Sequence, residues 1–189
     1  MLKDLVVQSR TCRRFRQEIP IAREALIDLV DLARLSPSGG NLQPLKYYLS
    51  CDAKTNAVIF QHVAWAAYLK DWKGPVEGER PAAYIIQLGD TRICKGFDCD
   101  QGIAAQSIML GAREQGLGGC MMGSVQRNGL QTALNIAPHF QILLVLALGR
   151  PKEVVILERL GEDGSIKYWR DESGVHHVPK RSIADLIVG

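Results

Sequence analysis

The run Ser9-Arg10-Thr11-Cys12-Arg13-Arg14-Phe15 gathers three guanidinium groups and two hydroxyls near the start of the chain. That chemistry suits a phosphate: arginine presents a planar fork matched to phosphate oxygens, and serine or threonine adds neutral hydrogen bonds. The same run also reads as the solvated basic end of a helix. At the other end of the chain, Val178-Pro179-Lys180-Arg181-Ser182 places a basic pair just before an expected helix N-terminus. Free backbone N–H groups and the helix dipole favour anions there, although an ordinary charged turn has the same composition. Between these clusters lies Pro37-Ser38-Gly39-Gly40-Asn41-Leu42-Gln43-Pro44. Two carboxamides, two residues apart in an extended loop, can face one way and reach the polar edges of a ring or a sugar chain. The alternative is a loop that only ties a helix to a strand.

Other chemistries find no anchor. His62 and His139 stand alone, and adjacent His176 and His177 project to opposite sides of a strand, so no metal pair forms and H-E-x-x-H is absent. Cys94 and Cys99 lack a zinc spacing. The G-x-S-x-G elbow and the P-loop are both missing. The glycine-rich stretch Gly116 to Ser124 follows a helix and opens a strand, the reverse of the dinucleotide-binding order. Its glycines suit close approach of backbone to a planar ligand at Gly123, with Met121 and Met122 as apolar packing, and equally suit a plain core strand.

Composition narrows the class. A chain of 189 residues with 47% hydrophobic and 23% charged side chains fits one globular domain, 1–189. A net charge of +3 is too small for a nucleic-acid binder. The five cysteines, Cys12, Cys51, Cys94, Cys99 and Cys120, are odd in number and contain no C-x-x-C pair, so reduced thiols and a cytoplasmic location are expected. No signal-like segment or apolar membrane span stands out.

The elements that must position these residues follow from periodicity. Leu26, Leu29, Val30 and Ala33 predict a helix over 21–36, bounded by Pro20 and Pro37. Strands are expected at 45–51 and 82–88, and a helix at 100–115 is apolar on more than one face, so central or buried at a subunit interface. A short extended segment begins at 120, a helix covers 131–136, and the strongest strand is 141–148. Runs 154–160 and 166–169 flank Gly-Glu-Asp-Gly and predict a hairpin. Ser182 and Asp185 have capping-box spacing ahead of a last short helix. Strands and helices alternate irregularly, which predicts α+β and disfavours a doubly wound sheet.

Taken together, the segments resemble the nitroreductase family. The resemblance rests on Arg10-Thr11-Cys12-Arg13-Arg14-Phe15 for R-[ST]-x-R-x-F, Pro37 to Pro44 for P-S-x-x-N-x-Q-P, Gly116-Leu117-Gly118 after the central helix, and the Lys180-Arg181 pair, in the family's order. It implies a central, mostly antiparallel sheet flanked by helices and an intertwined homodimer with FMN in shared clefts. Arg10, Thr11, Arg13, Lys180 and Arg181 are then expected at the FMN phosphate. Pro37, Ser38, Gly39, Asn41 and Gln43 are expected to approach the flavin from the partner subunit. Met121 and Met122 would pack nearby, and Gly123 would offer its N–H to flavin N5. The implied activity is ping-pong transfer of hydride from NAD(P)H to a small acceptor such as a nitroaromatic or quinone, with no catalytic side chain. Alternatives are a flavin-binding protein without turnover, or an enzyme of the same fold acting on oxygen or a specialised metabolite. The loop departs from the family in reading Pro44-Leu45 where Pro-Trp is usual, and the chain is short, so the aromatic stretch Trp65 to Trp72 becomes a candidate cover for the site.

Overall fold

The computed structural model describes residues 1–189. Its spine is β5 (Phe140–Pro151), whose apolar run Ile142 to Leu148 is almost wholly buried, as expected of a strand covered on both faces. β3 (Ala83–Asp90) pairs with β5 antiparallel and is buried along its length, and β2 (Leu45–Ser50) pairs antiparallel with β3. On its other flank β5 carries β4 (Gly118–Met122), again antiparallel, and its C-terminal end carries the two-residue β1 (Phe15–Arg16). The sheet is therefore antiparallel throughout and the fold is α+β.

Strand alternation divides the core in two. Ile85, Leu146 and Leu148 face α2 (Arg23–Leu35) and α4 (Asp100–Glu114), where Leu26, Leu29, Ala105 and Ile108 are fully buried. Tyr84, Ile86, Val145 and Ala147 face the other way, against Ile59 of α3 (Ala53–Gln61) and Leu130 of α5 (Arg127–Ala133). Close approach of α2 to α4 depends on Gly111, where a Cβ would lie 2.2 Å from Leu32 Cδ1. At Gly119 the obstacle is backbone, since a Cβ would lie 2.6 Å from the Ala147 carbonyl oxygen. α1 (Leu2–Gln8) lies against the C-terminal half of α4: Ser9 Oγ donates to the Met109 carbonyl, and Arg113 Nη2 donates to Gln8 Oε1 at 2.9 Å.

Three sequence expectations need correction. The predicted hairpin after residue 154 does not form. Gly161 to Gly164 does turn, but β6 (Val155–Arg159) pairs in parallel with β8 (His176–Lys180), and β7 (Trp169–Arg170) joins β8 antiparallel. This pairing buries His176 and His177. The final helix is only a turn. The capping bonds are made, with Ser182 Oγ donating to Asp185 Oδ2 at 2.8 Å and Asp185 N–H to Ser182 Oγ at 3.3 Å, but Ile183, Leu186, Ile187 and Val188 remain exposed. Without tertiary burial a short helix cannot offset its nucleation cost. The helix expected at 131–136 starts earlier, at Arg127. No periodicity in the sequence marks α1 or α3, although α3 carries a legible N-cap in Asp52, whose Oδ1 accepts from Thr55 N–H at 2.8 Å.

Two carboxylates tie the N-terminal segment to the body. Glu79 accepts from Arg14 Nε and Nη2, both at 2.6 Å, and pairs with Lys152 Nζ at 3.1 Å. Glu153 accepts the backbone N–H groups of Arg13 and Arg14 and pairs with Arg170 Nη2 at 3.0 Å. The Arg14 hydrogen bonds and the Lys152 charge hold the Glu79 carboxyl down to about 2. A depressed carboxyl stabilises the fold fully above its unfolded value of about 4.3 and loses that contribution as pH falls through the folded value. Glu79→Gln is expected to cost about 2 kcal/mol at pH 7. It should also flatten the acid limb of stability against pH, measured by urea unfolding; an unchanged acid limb would show that Glu79 is not its source.

Candidate functional site

The N-terminal signature runs beside β4. Thr11 makes a parallel bridge to Gly119, and Cys12 N–H donates to the Gly119 carbonyl at 2.8 Å. The three guanidinium groups have different fates. Arg14 is consumed by Glu79. Arg10 turns back onto α1, its Nη2 donating to the Val6 carbonyl at 2.6 Å, while its Nε is buried with no partner. Burial lowers the Arg10 pKa. Arg13 stacks on the Tyr168 ring, 4.7 Å from its centroid, and its Nη1 donates to His176 Nε2 at 3.3 Å. Arg10, Cys12, Gly118, Gly119 and Glu153 line a cleft of about 460 Å³, walled by Met109, Leu117 and β6.

The carboxamide loop is built on the first residue of α4. Asp100 Oδ2 accepts from Ser38 Oγ at 2.6 Å, and Oδ1 accepts from Gly39 N–H at 2.9 Å. Ser38 Oγ in turn accepts from Gln43 N–H at 3.0 Å. A single 3-10 turn, Gly39–Asn41, follows, and both Asn41 and Gln43 adopt left-handed backbone, φ +55° and +50°. Such conformations cost free energy in residues other than glycine and persist only where surrounding bonds impose them. Their side chains meet, Gln43 Nε2 donating to Asn41 Oδ1 at 3.2 Å, so the two carboxamides do share a side of the loop. Pro37, Ser38, Gln43 and Pro44 line a cleft of about 280 Å³ with Lys46, Tyr47 and Asp100. Burial pushes the Tyr47 hydroxyl up.

At the end of β4, Met122 is buried, Met121 is 38% exposed, and Gly123 is open. A Cβ at Gly123 would meet nothing within 4 Å. Its carbonyl accepts from Arg127 Nη2 at 3.1 Å, whereas its N–H has no acceptor in the chain. The aromatic stretch passes alongside: Ala64 N–H donates to the Ser124 carbonyl at 3.0 Å. Trp65 meets Trp72 edge-on, and Tyr68 packs on Tyr168 at 4.9 Å, so the stretch leans on the C-terminal strands.

Not all the expected residues come together. Arg10, Thr11 and Arg13 share one segment, which β4 links to Met121, Met122 and Gly123. The carboxamide loop lines a separate cleft. Lys180 and Arg181 are exposed at the end of β8, with no helix dipole behind them and no hydrogen bond to Arg10 or Arg13. What reaches Arg13 from the C-terminal region is His176 and Tyr168, which no motif marks. The two histidines do point apart. His177 stacks on Trp169 at 3.9 Å and is bracketed by Glu158 Oε1 at 2.5 Å and Asp171 Oδ2 at 3.2 Å.

The matching family model is Nitroreductase family, over residues 6–150. The chain belongs to the nitroreductase family. Among curated relatives of this family, YodC of Bacillus subtilis, named for NAD(P)H nitroreductase activity, is 22% identical over 177 residues, covering 78% of this chain and 88% of YodC. A Desulfovibrio desulfuricans protein named as a nitroreductase and solved in complex with FMN superimposes with a TM-score of 0.72. It is 20% identical, over 100% of this chain and 95% of that one. A nitroreductase family protein from Clostridium novyi NT gives 0.68 at 18% identity, over 100% and 99% of the two chains. At these identities the superpositions establish the fold. Within that nitroreductase fold no helix is long and apolar enough to cross a membrane, and no group of three or more metal-ligating side chains gathers.

The adjacent histidines give opposite pH dependences. Burial, then the Arg13 charge, hold His176 down to about 4. Its unfolded value is about 6.5, so stability falls as pH drops from there toward the folded value. The Glu158 hydrogen bond raises His177, with Asp171 assisting, so its contribution is complete below about 6.5 and disappears as pH rises through the folded value. Urea midpoints across pH should therefore show a flatter acid side in His176→Phe and a flatter alkaline side in His177→Gln. Wild-type slopes in both variants would contradict this assignment.

Proposed function

We propose that the protein is an FMN-dependent oxidoreductase that takes hydride from NAD(P)H and reduces a small organic acceptor, a nitroaromatic, quinone or similar molecule, in alternating half-reactions. One observation carries the reading: the bridge between Thr11 and Gly119 sets the phosphate-suited signature directly beside the strand that ends at Gly123. Four residues of strand, about 13 Å at a rise of about 3.3 Å each, separate Gly119 from Gly123. An anionic group at the signature and a planar ring at Gly123 can therefore belong to one elongated ligand.

The residues present fit FMN. Arg10 retains an unpartnered buried Nε, and Gly123 retains a free N–H on an open face. Arg10, Thr11 and Arg13 would hold the phosphate, with Lys180 and Arg181 adding charge, Gly123 donating to N5, and Met121 and Met122 packing beside the ring. Pro37, Ser38, Gly39, Asn41 and Gln43 would come from a second copy of the chain, a homodimer with shared sites, which accounts for their lying in a different cleft of a single chain. When bound, FMN supplies the hydride chemistry, and no side chain need act as nucleophile. The Arg13 guanidinium, paired with no carboxylate, would favour a negatively charged cofactor. The solved relative with FMN and the named activity of YodC support this reading.

The test is stopped-flow mixing of the FMN-loaded protein with NADH and with NADPH under nitrogen, followed by a nitroaromatic or quinone. Bleaching of the flavin band on a catalytic timescale, and its return with acceptor, is the expected result. Retained FMN that neither nicotinamide reduces would leave a binding protein without turnover and refute the oxidoreductase reading.

A further inference from the structure

We propose that His176 is a positioning residue for Arg13, gripping one edge of its guanidinium through a neutral acceptor so that the remaining N–H groups serve an anionic ligand. The inference rests on the assignment of Arg13 to the FMN phosphate and extends it beyond residues 6–150, the span of the family model. Apart from the Cys120 thiol of β4, which the guanidinium also meets, every polar anchor of Arg13 lies after that span. Glu153 accepts its backbone N–H, the Tyr168 ring stacks on its guanidinium, and His176 Nε2 accepts from Nη1.

The contrast with Arg14 defines the role. Arg14 is met by a carboxylate through two N–H groups, which neutralises it and uses its fork. Arg13 is met by an imidazole, a π face and the Cys120 thiol, none of which removes its charge, and no carboxylate pairs with its guanidinium. The nearest carboxylate, Glu153, directs its side chain to backbone N–H groups and to Arg170. Arginine has no acceptor atom, so His176 Nε2 must be the bare nitrogen and Nδ1 must carry the proton. That Nδ1 is buried with no partner and the ring packs on Tyr168, 5.1 Å between centroids, so the ring's one hydrogen bond is the bond from Arg13 to Nε2. Burial and the Arg13 charge keep the ring neutral at ordinary pH.

Two measurements test this. In the cofactor-free protein, long-range 15N–1H NMR of the histidine ring should show His176 with Nδ1 protonated and Nε2 bare; the opposite tautomer would overturn the proposal without reference to any ligand. FMN titration should then give a dissociation constant about tenfold weaker for His176→Phe, the scale of one lost charged hydrogen bond, and within about threefold of wild type for His176→Gln, which restores an acceptor near Nε2. In an Arg13→Ala background, His176→Phe should change FMN affinity by less than about twofold, because the two residues act as one unit. An equal loss in both backgrounds would make His176 merely structural and overturn the proposal. Unchanged FMN affinity in Arg13→Ala alone would instead overturn the phosphate assignment, and the role of His176 with it, even if the tautomer is as expected.

Discussion

Glu79 and Glu153 hold the backbone and one side chain of residues 13 and 14, and the rest of the site depends on how these two charges are spent. Glu79 is nearly neutralised by Arg14 and Lys152. Glu153, its side chain 1% exposed, balances Arg170 and two backbone N–H groups. A buried carboxylate is costly unless its lone pairs are filled, and here they are. The consequence is an accounting of charge in which Arg14 and Arg170 are structural cations while Arg13 and Arg10 lack counter-charges. Of the two, Arg10 lines the cleft, and a cation left in that condition beside a cleft is what an anionic cofactor requires.

The sheet gives that arrangement its reach. β5 is paired on both flanks, so β4 is fixed in register, and the signature inherits that register through Thr11 and Cys12. Gly119 matters because its neighbour across the strand is backbone, which cannot yield to a side chain. The loop that carries left-handed Asn41 and Gln43, by contrast, is anchored to Asp100 at the start of α4 through Ser38 and Gly39. Two separate devices thus position two separate halves of the proposed site, and a second copy of the chain would unite them.

Much of this was legible in the sequence for definite reasons. α2, α4 and β5 carry strong periodicity or a long apolar run, and the signature and carboxamide loop concentrate residue types suited to a polar ligand, although some of them, Arg14 and Ser38 among them, are spent on structural contacts. The C-terminal region was read less well because its interactions are pairings between distant residues. Nothing in the spacing of His176, Tyr168 and Glu153 marks them as partners of Arg13. The Gly161 to Gly164 turn is present, yet turn chemistry alone does not decide which strand comes next to β6. Likewise a capping box at Ser182 and Asp185 is formed in full without a helix to follow it, since caps assist helices that packing already favours.

The central claim, that Arg10, Thr11, Arg13 and Gly123 face one elongated FMN molecule, is tested most directly by a crystal structure of the protein grown with FMN. The account predicts the phosphate within hydrogen-bond distance of Arg13 and Thr11 and flavin N5 at the Gly123 amide, with the carboxamide loop of a second chain over the ring. FMN bound elsewhere, or a phosphate held without Arg13, would contradict it.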